Sequence, residues 1–255
     1  MAIGNYHAVH NRLQTYTATS NMSILTLTLY AAMAVLMVDA AIEMALISSM
    51  VYWLHYRAGK AFEIAYNGGT FSLHGKPLAL LVNQGHTSNG AAGTAFLAIG
   101  LGGILALWSR SRGKHGNRFY HFWLVMTVLS MLLSLAALIY TFILMNDHAG
   151  QTINEALAST LNNKPYPNYV AYPLDAWTPG DWFAAILQLD LVRHSDRSDI
   201  TTHLNTMKAW TWNLIPLFIL GLVVCVLAVV EALARRREVR EVRTYGAEPK
   251  RMLSS

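Results

Sequence analysis

The stretch ILTLTLYAAMAVLMVDAAIEMALISSMVYWL, residues 24–54, decides how this chain folds. It is almost continuously apolar, and a helix that crosses a bilayer needs roughly 20 such residues. The surplus leaves room for tilt or for an extra turn beyond the lipid. Near its middle stand Asp39 and Glu43. One carboxylate at the bilayer centre costs about 2.5–3.5 kcal/mol on insertion scales. Residues four apart share one helical face. That face is therefore expected to look at other helices, a water-filled cavity or a partner subunit.

Composition agrees with a membrane setting. A soluble domain carries about 25% charged residues; this chain of 255 residues carries 13%, is 54% hydrophobic and has a mean hydropathy of +0.31. The net charge of +5 is gathered in two places, which makes it an orientation signal rather than a nucleic-acid footprint. The single cysteine, Cys225, permits neither an intramolecular disulfide nor a cysteine-based zinc site. Residues 1–22 are polar and mixed, so the first span is expected to act as its own uncleaved insertion signal.

Three further apolar runs follow, so the expected fold is all-α: four transmembrane helices in a bundle, at about 24–54, 90–108, 122–145 and 209–233, with a partly helical outer loop. Residues 1–22 form a cytoplasmic N-terminal segment, 23–235 the transmembrane domain with outer loops 57–89 and 146–208, and 236–255 a basic cytoplasmic tail. The N-terminal segment could lie at the interface, with Tyr6 and Tyr16 at headgroup level. In the first loop, Asn67-Gly68-Gly69 signals a turn and a small hairpin. In the second, Gln151 to Leu161 has a helical pattern, and Lys164 to Pro179 reads as extended because of its four prolines. Asp181 reads as the N-cap of a helix running to Val192, and Ser195 to Asp199 as a polar turn. Pro216 falls in the first two turns of the fourth span. The aromatic stretch from Trp177 to Trp182 reads as the buried core of the outer loop.

Charge sets the expected orientation. Arg110, Arg112, Lys114 and Arg118 lie between spans two and three, and Arg235, Arg236, Arg237, Arg240 and Arg243 follow span four. The long second loop holds four Lys/Arg against seven Asp/Glu. The positive-inside rule then puts both termini in the cytoplasm, with the plasma membrane favoured over an endomembrane.

Candidate functional residues are few. Asp39 and Glu43 could form a proton or cation site, or act as glue by hydrogen bonding to Ser130, Ser134 or Thr141 on the third span or to the backbone of the glycine-rich second span. Glu231 is expected to snorkel at the inner interface. Ala98, Gly102 and Ala106 form a small-residue ridge that would let another helix approach closely. His55, His86, His148 and His203 fall one per helix near the outer ends and could form a metal site there. No Gly-x-Ser-x-Gly elbow, Walker loop or Cys-x-x-Cys occurs. The expectation is a non-enzymatic scaffolding or accessory subunit. It would have no cofactor, but would bind lipids and contact other membrane proteins or further copies of itself. A proton- or cation-coupled transporter component and a histidine-metal membrane enzyme are the alternatives.

The layout of four spans, a short basic inner loop and a larger second outer loop resembles the tetraspan plan of tetraspanins, claudins and the fungal cell-cortex relatives of claudins. The resemblance is one of topology. The cysteines that brace the outer loop in tetraspanins and claudins are missing, as is a claudin-like Trp-Gly-Leu-Trp signature, so no functional residue is carried over from it.

Overall fold

The computed structural model is mostly helical. Among the described residues, four helices are long and apolar enough to cross a membrane: Ile24–Arg57, Asn83–Ser111, Arg118–His148 and His194–Arg240. Each contains one of the expected spans. The structure describes residues 2–112, 114–161, 163–165 and 176–252, with side chains described for 24–57, 59–112, 118–161, 163–165 and 176–240. The expected interfacial tyrosines Tyr6 and Tyr16 lie outside the described side chains, as does most of the proline-rich segment.

In chain order the elements are α1 (Ala2–Ala58), β1 (Ala61–Tyr66), β2 (Gly69–His74), α2 (Asn83–Thr94), a π-helical stretch (Ala95–Leu101), α3 (Gly102–Ser111), α4 (Lys114–His148), α5 (Glu155–Thr160), α6 (Pro179–Ile186) and α7 (His194–Met252). The chain clusters into two compact units. The first comprises Met1–Met37, Leu97–Met131 and Leu220–Ser255; the second comprises Val38–Phe96 and Leu132–Ile219.

In the first unit the second span passes close to its neighbours at Gly103. A Cβ there would overlap the Met33 sulfur and come within 2.7 Å of the Trp123 ring, whereas one at Gly102 would make ordinary contact with Trp123 at 3.7 Å. Ala106 is buried, and Ala98 is only half-buried. The tightest approach therefore lies one residue beyond the expected ridge position. The π-helical turns account for this, because their wider i→i+5 register rotates the face that follows. The Ile99 carbonyl within them accepts a hydrogen bond from the Trp123 indole N–H at 3.1 Å.

In the second unit β1 and β2 pair antiparallel around Asn67 and Gly68. Both have positive φ, +49° and +77°, the geometry of a type I′ hairpin turn. Alternation along β1 buries Phe62 and Ile64. Phe62 meets Phe183 edge-on at 6.3 Å, Phe183 lies 4.4 Å from Trp53, and Trp182 meets Trp177 at 5.2 Å. Trp177 and Trp182 are buried, as expected of the loop's aromatic core. The Trp182 indole donates to the Gly75 carbonyl at 3.1 Å, and a Cβ at Gly75 would overlap the Arg57 and Lys60 carbonyls.

Several boundaries differ from the sequence reading. The first loop helix, α5, begins at Glu155 rather than Gln151, because the Asn154 side chain caps it by accepting from the Leu157 amide. The N-cap of α6 is Thr178, whose hydroxyl accepts from the Asp181 amide at 3.1 Å; Asp181 is the third helical residue. The helix stops at Ile186 rather than Val192: the Gln188 and Leu189 amides close tight turns on the Ala185 and Ile186 carbonyls, and β1 then takes up backbone groups of Asp190 and Val192. The Ala65 amide donates to the Asp190 carbonyl at 2.8 Å, and the Val192 amide to the Glu63 carbonyl at 3.0 Å. Ser195 to Asp199 is not a turn but the first turns of α7, which close on the Arg193 carbonyl. Pro216 thus lies deep within α7 rather than near its start, and leaves the Trp212 carbonyl without its usual i+4 donor.

Candidate functional site

Four constellations carry charge or open space, and they differ in how completely their polar atoms are matched. The first joins α1 to α7 in the second unit. Arg57 is buried and lies between Asp196 and Asp199, which share a helical face three residues apart. Its Nη2 reaches Asp196 Oδ1 at 3.2 Å, and its Nε donates to Asp199 Oδ2 at 2.9 Å. Trp53 Nε1 donates to the same Asp199 oxygen at 3.1 Å. His203 stacks on Trp53 at 4.4 Å, with Nδ1 3.3 Å from Asp199 Oδ1. Arg57 also lies 5.0 Å over the Phe62 ring. In the sequence Arg57 simply follows Tyr52, Trp53 and Tyr56 at the end of the first span, with nothing local to mark its partners.

The second belongs to the first unit. Glu231 has no exposed surface, so it does not snorkel. Arg110 binds it in bidentate fashion at 2.9 and 2.5 Å, the Tyr120 hydroxyl donates at 2.6 Å, and Arg235 Nε donates at 2.7 Å. Arg110 also lies 3.8 Å over the Tyr120 ring. A planar guanidinium matching both carboxylate oxygens is the geometry in which a buried ion pair holds best.

The third is the acidic pair of α1. Glu43 is fully buried and accepts from Asn213 Nδ2 at 3.0 Å. Its Oε1, and Asp39 Oδ2 one turn earlier, are buried without a hydrogen-bond partner among the described residues. Asn213 was not singled out in the sequence. Ser130 and Ser134 are both buried; Ser134 belongs to the same unit as the pair and Ser130 to the other.

The fourth is a cavity of about 660 Å³ within the second unit. Its lining comes from the last turns of α1 and α4, the first turns of α2 and α6, the segment after β2, and α7 around Met207. Apolar side chains such as Ile47, Met50, Leu54, Met145 and Met207 meet Lys76, Lys208, His55, His86 and Asp181 there. Two lining groups are buried with unmatched atoms. Gln84 donates through Nε2 to the Leu81 carbonyl at 3.0 Å while its Oε1 has no partner, and Thr141 Oγ1 has none. Burial pushes the Asp181 carboxyl above the ordinary carboxylate range, against the pull of its Thr178 hydrogen bond.

The four histidines do not come together as one set. His55 and His86 line the cavity, with His55 Nδ1 2.8 Å from the Val51 carbonyl. His148 Nδ1 is 2.8 Å from the Leu144 carbonyl, and His203 belongs to the Arg57 cluster. Among the described residues, no group of three or more His, Cys, Asp or Glu is placed to hold a metal ion. Compared with protein-family models, curated proteins and solved structures, the chain matches none.

Proposed function

We propose that this chain is a non-enzymatic, multi-pass membrane protein whose four spans form a tetraspan bundle with both termini in the cytoplasm. It acts as a scaffolding or accessory subunit, in contact with lipids and with other membrane proteins or further copies of itself; the plasma membrane is its favoured site. The observation that carries this reading is the saturation of Glu231. A fully buried carboxylate with four donor contacts from Arg110, Tyr120 and Arg235 fixes helices in place and leaves no oxygen for a moving ion. Intramembrane ionisable groups commonly mark transport paths; this one is spent on holding the fold.

One observation favours a second reading, a proton- or cation-coupled transporter component. Glu43 Oε1 and Asp39 Oδ2 lack partners among the described residues, and buried acceptors left unmatched invite a proton or a cation. Proteoliposome flux separates the two readings. A scaffold should move no proton, Na⁺ or K⁺ above empty vesicles and should run as a defined complex in native-lipid discs. Flux that Asp39→Asn and Glu43→Gln abolish would replace the scaffold with the transporter.

A further inference from the structure

The cavity of the second unit has a basic lining in an acidic setting. Residues 146–208 hold four Lys/Arg against seven Asp/Glu. Asp196 and Asp199 are taken up by Arg57. Among the described residues Asp181 is the one carboxyl on the lining, and the Thr178 hydroxyl donates to it. Lys76 and Lys208 stand on the same lining with His55 and His86. Both lysines are exposed, and neither enters an ion pair among the described residues. A cleft with charge of one sign on low-dielectric walls concentrates ions of the other, so the lysines favour an anion.

The apolar surface beside them asks for more than an anion. Val51, Leu78, Val82 and Met145 line the cavity and are 37–65% exposed. Val51 and Met145 belong to spans, where bilayer lipid accounts for their exposure. Leu78 and Val82 lie between β2 and α2, outside the four spans, and apolar surface gathered in a cleft marks a ligand site. Depth agrees with a lipid. The lining follows the closing turns of α1 and α4 and the opening turns of α2, and span ends lie at the level of headgroups. From Leu54 to Ile47 it runs inward by about 10 Å at 1.5 Å per residue, among the acyl chains. A small soluble anion would leave this apolar length bare, and a neutral lipid would leave the lysines unpaired. We propose that the cavity, of about 660 Å³, holds one anionic membrane lipid, its headgroup against Lys76 and Lys208 and one acyl chain along Leu78, Val82 and Met145. The site requires the spans to cross a bilayer, as proposed above, and stands whether the chain is a scaffold or a transporter.

The test splits such a lipid into its two halves. The full chain is first placed in phosphatidylcholine nanodiscs. A chain that does not enter them overturns the membrane reading of the spans and, with it, the depth of the site. In loaded discs a fluorescent short-chain phosphatidic acid is the probe. Unlabelled phosphatidic acid should displace it at about one-tenth the concentration of diacylglycerol with the same chains, a difference of about 1.4 kcal/mol. Glycerol 3-phosphate, the headgroup alone, should not displace it. Lys76→Gln together with Lys208→Gln should bring phosphatidic acid down to the level of diacylglycerol, whereas Arg237→Gln, in the basic stretch after the fourth span, should change nothing. Equal displacement by diacylglycerol would make the occupant a neutral lipid, and displacement by glycerol 3-phosphate would make it a soluble phosphate ester. Either result overturns the proposal, as does a loss that follows Arg237 rather than the lysines, or no saturable binding of the probe. The comparison of lipids uses the unaltered chain and so needs no variant to fold.

Discussion

Glu43 and Glu231 are the same residue in similar surroundings, each without exposed surface on an apolar helix, and the protein holds them in opposite ways. Glu231 meets two arginines and a tyrosine, and both its oxygens are matched. Glu43 meets one neutral amide, and one of its oxygens meets nothing among the described residues. The difference is one of position along the span. Glu231 lies near the end of an apolar run, where arginines of two helices can reach it, Arg235 from a half-exposed position and Arg110 from a nearly buried one. Glu43 lies mid-span, where another charge would have to be carried into the apolar core. The acid near a span's end acts as a strut, whereas the one at the centre keeps an oxygen unmatched among the described residues.

The sharpest way to break this comparison is Glu231→Gln. The substitution keeps the shape but removes the charge opposite Arg110, whose side chain is only 10% exposed. Removing one partner of a buried pair typically costs about 3–5 kcal/mol. Unfolding by SDS titration in mixed micelles should show a loss of that size. A loss below about 1 kcal/mol would mean that the pairs form but carry no weight, and Glu231 would then be no more a strut than Glu43.

Arg57→Met tests whether the same rule governs the second unit. The variant leaves Asp196 and Asp199 facing one another without their cation. Asp199 keeps 31% of its side-chain surface exposed, so water relieves part of the penalty. Hydrogen bonds to charged groups contribute about 1.5–3 kcal/mol, and the loss should fall in that range, below that of Glu231→Gln. Adding Asp199→Asn should recover part of it. Failure to recover would show that the stacking of the Arg57 guanidinium on Phe62, rather than its pairing with the aspartates, carries the loss.

Much of the fold was legible in the chain, and what was missed shares one cause. The spans are visible because a bilayer imposes length and hydropathy on contiguous residues, and the hairpin because Asn67-Gly68 is a local signal. Helical spacing alone put Asp39 and Glu43 on one face. The roles of Arg57 and Glu231 were hidden because their partners Asp199 and Arg110 lie 142 and 121 residues away. The polar run after Arg193 read as a turn for the same reason, since its aspartates need α1 to give them a purpose. The cavity escaped notice because at least five elements contribute to it. Gly103 was passed over for Gly102 because no composition rule foresees the π-helical turns that rotate that face.

The smallest effect should come from Glu43→Gln, and its smallness is the informative part. The new amide oxygen can accept from Asn213 as the carboxylate does. Its NH2 occupies the place of the unmatched oxygen and stays unmatched, so the change in stability should remain within about 1 kcal/mol. The Glu231 substitution strands a cation, whereas here nothing opposite is charged. Melting the unaltered chain and this variant in parallel, with Na⁺, K⁺ or Ca²⁺ added, sharpens the contrast. If Glu43 is only packed, both proteins melt alike in every salt. If the unmatched oxygens of Glu43 and Asp39 hold a cation, the unaltered chain gains stability with the logarithm of its concentration and the variant does not. The transporter reading would then have its ion.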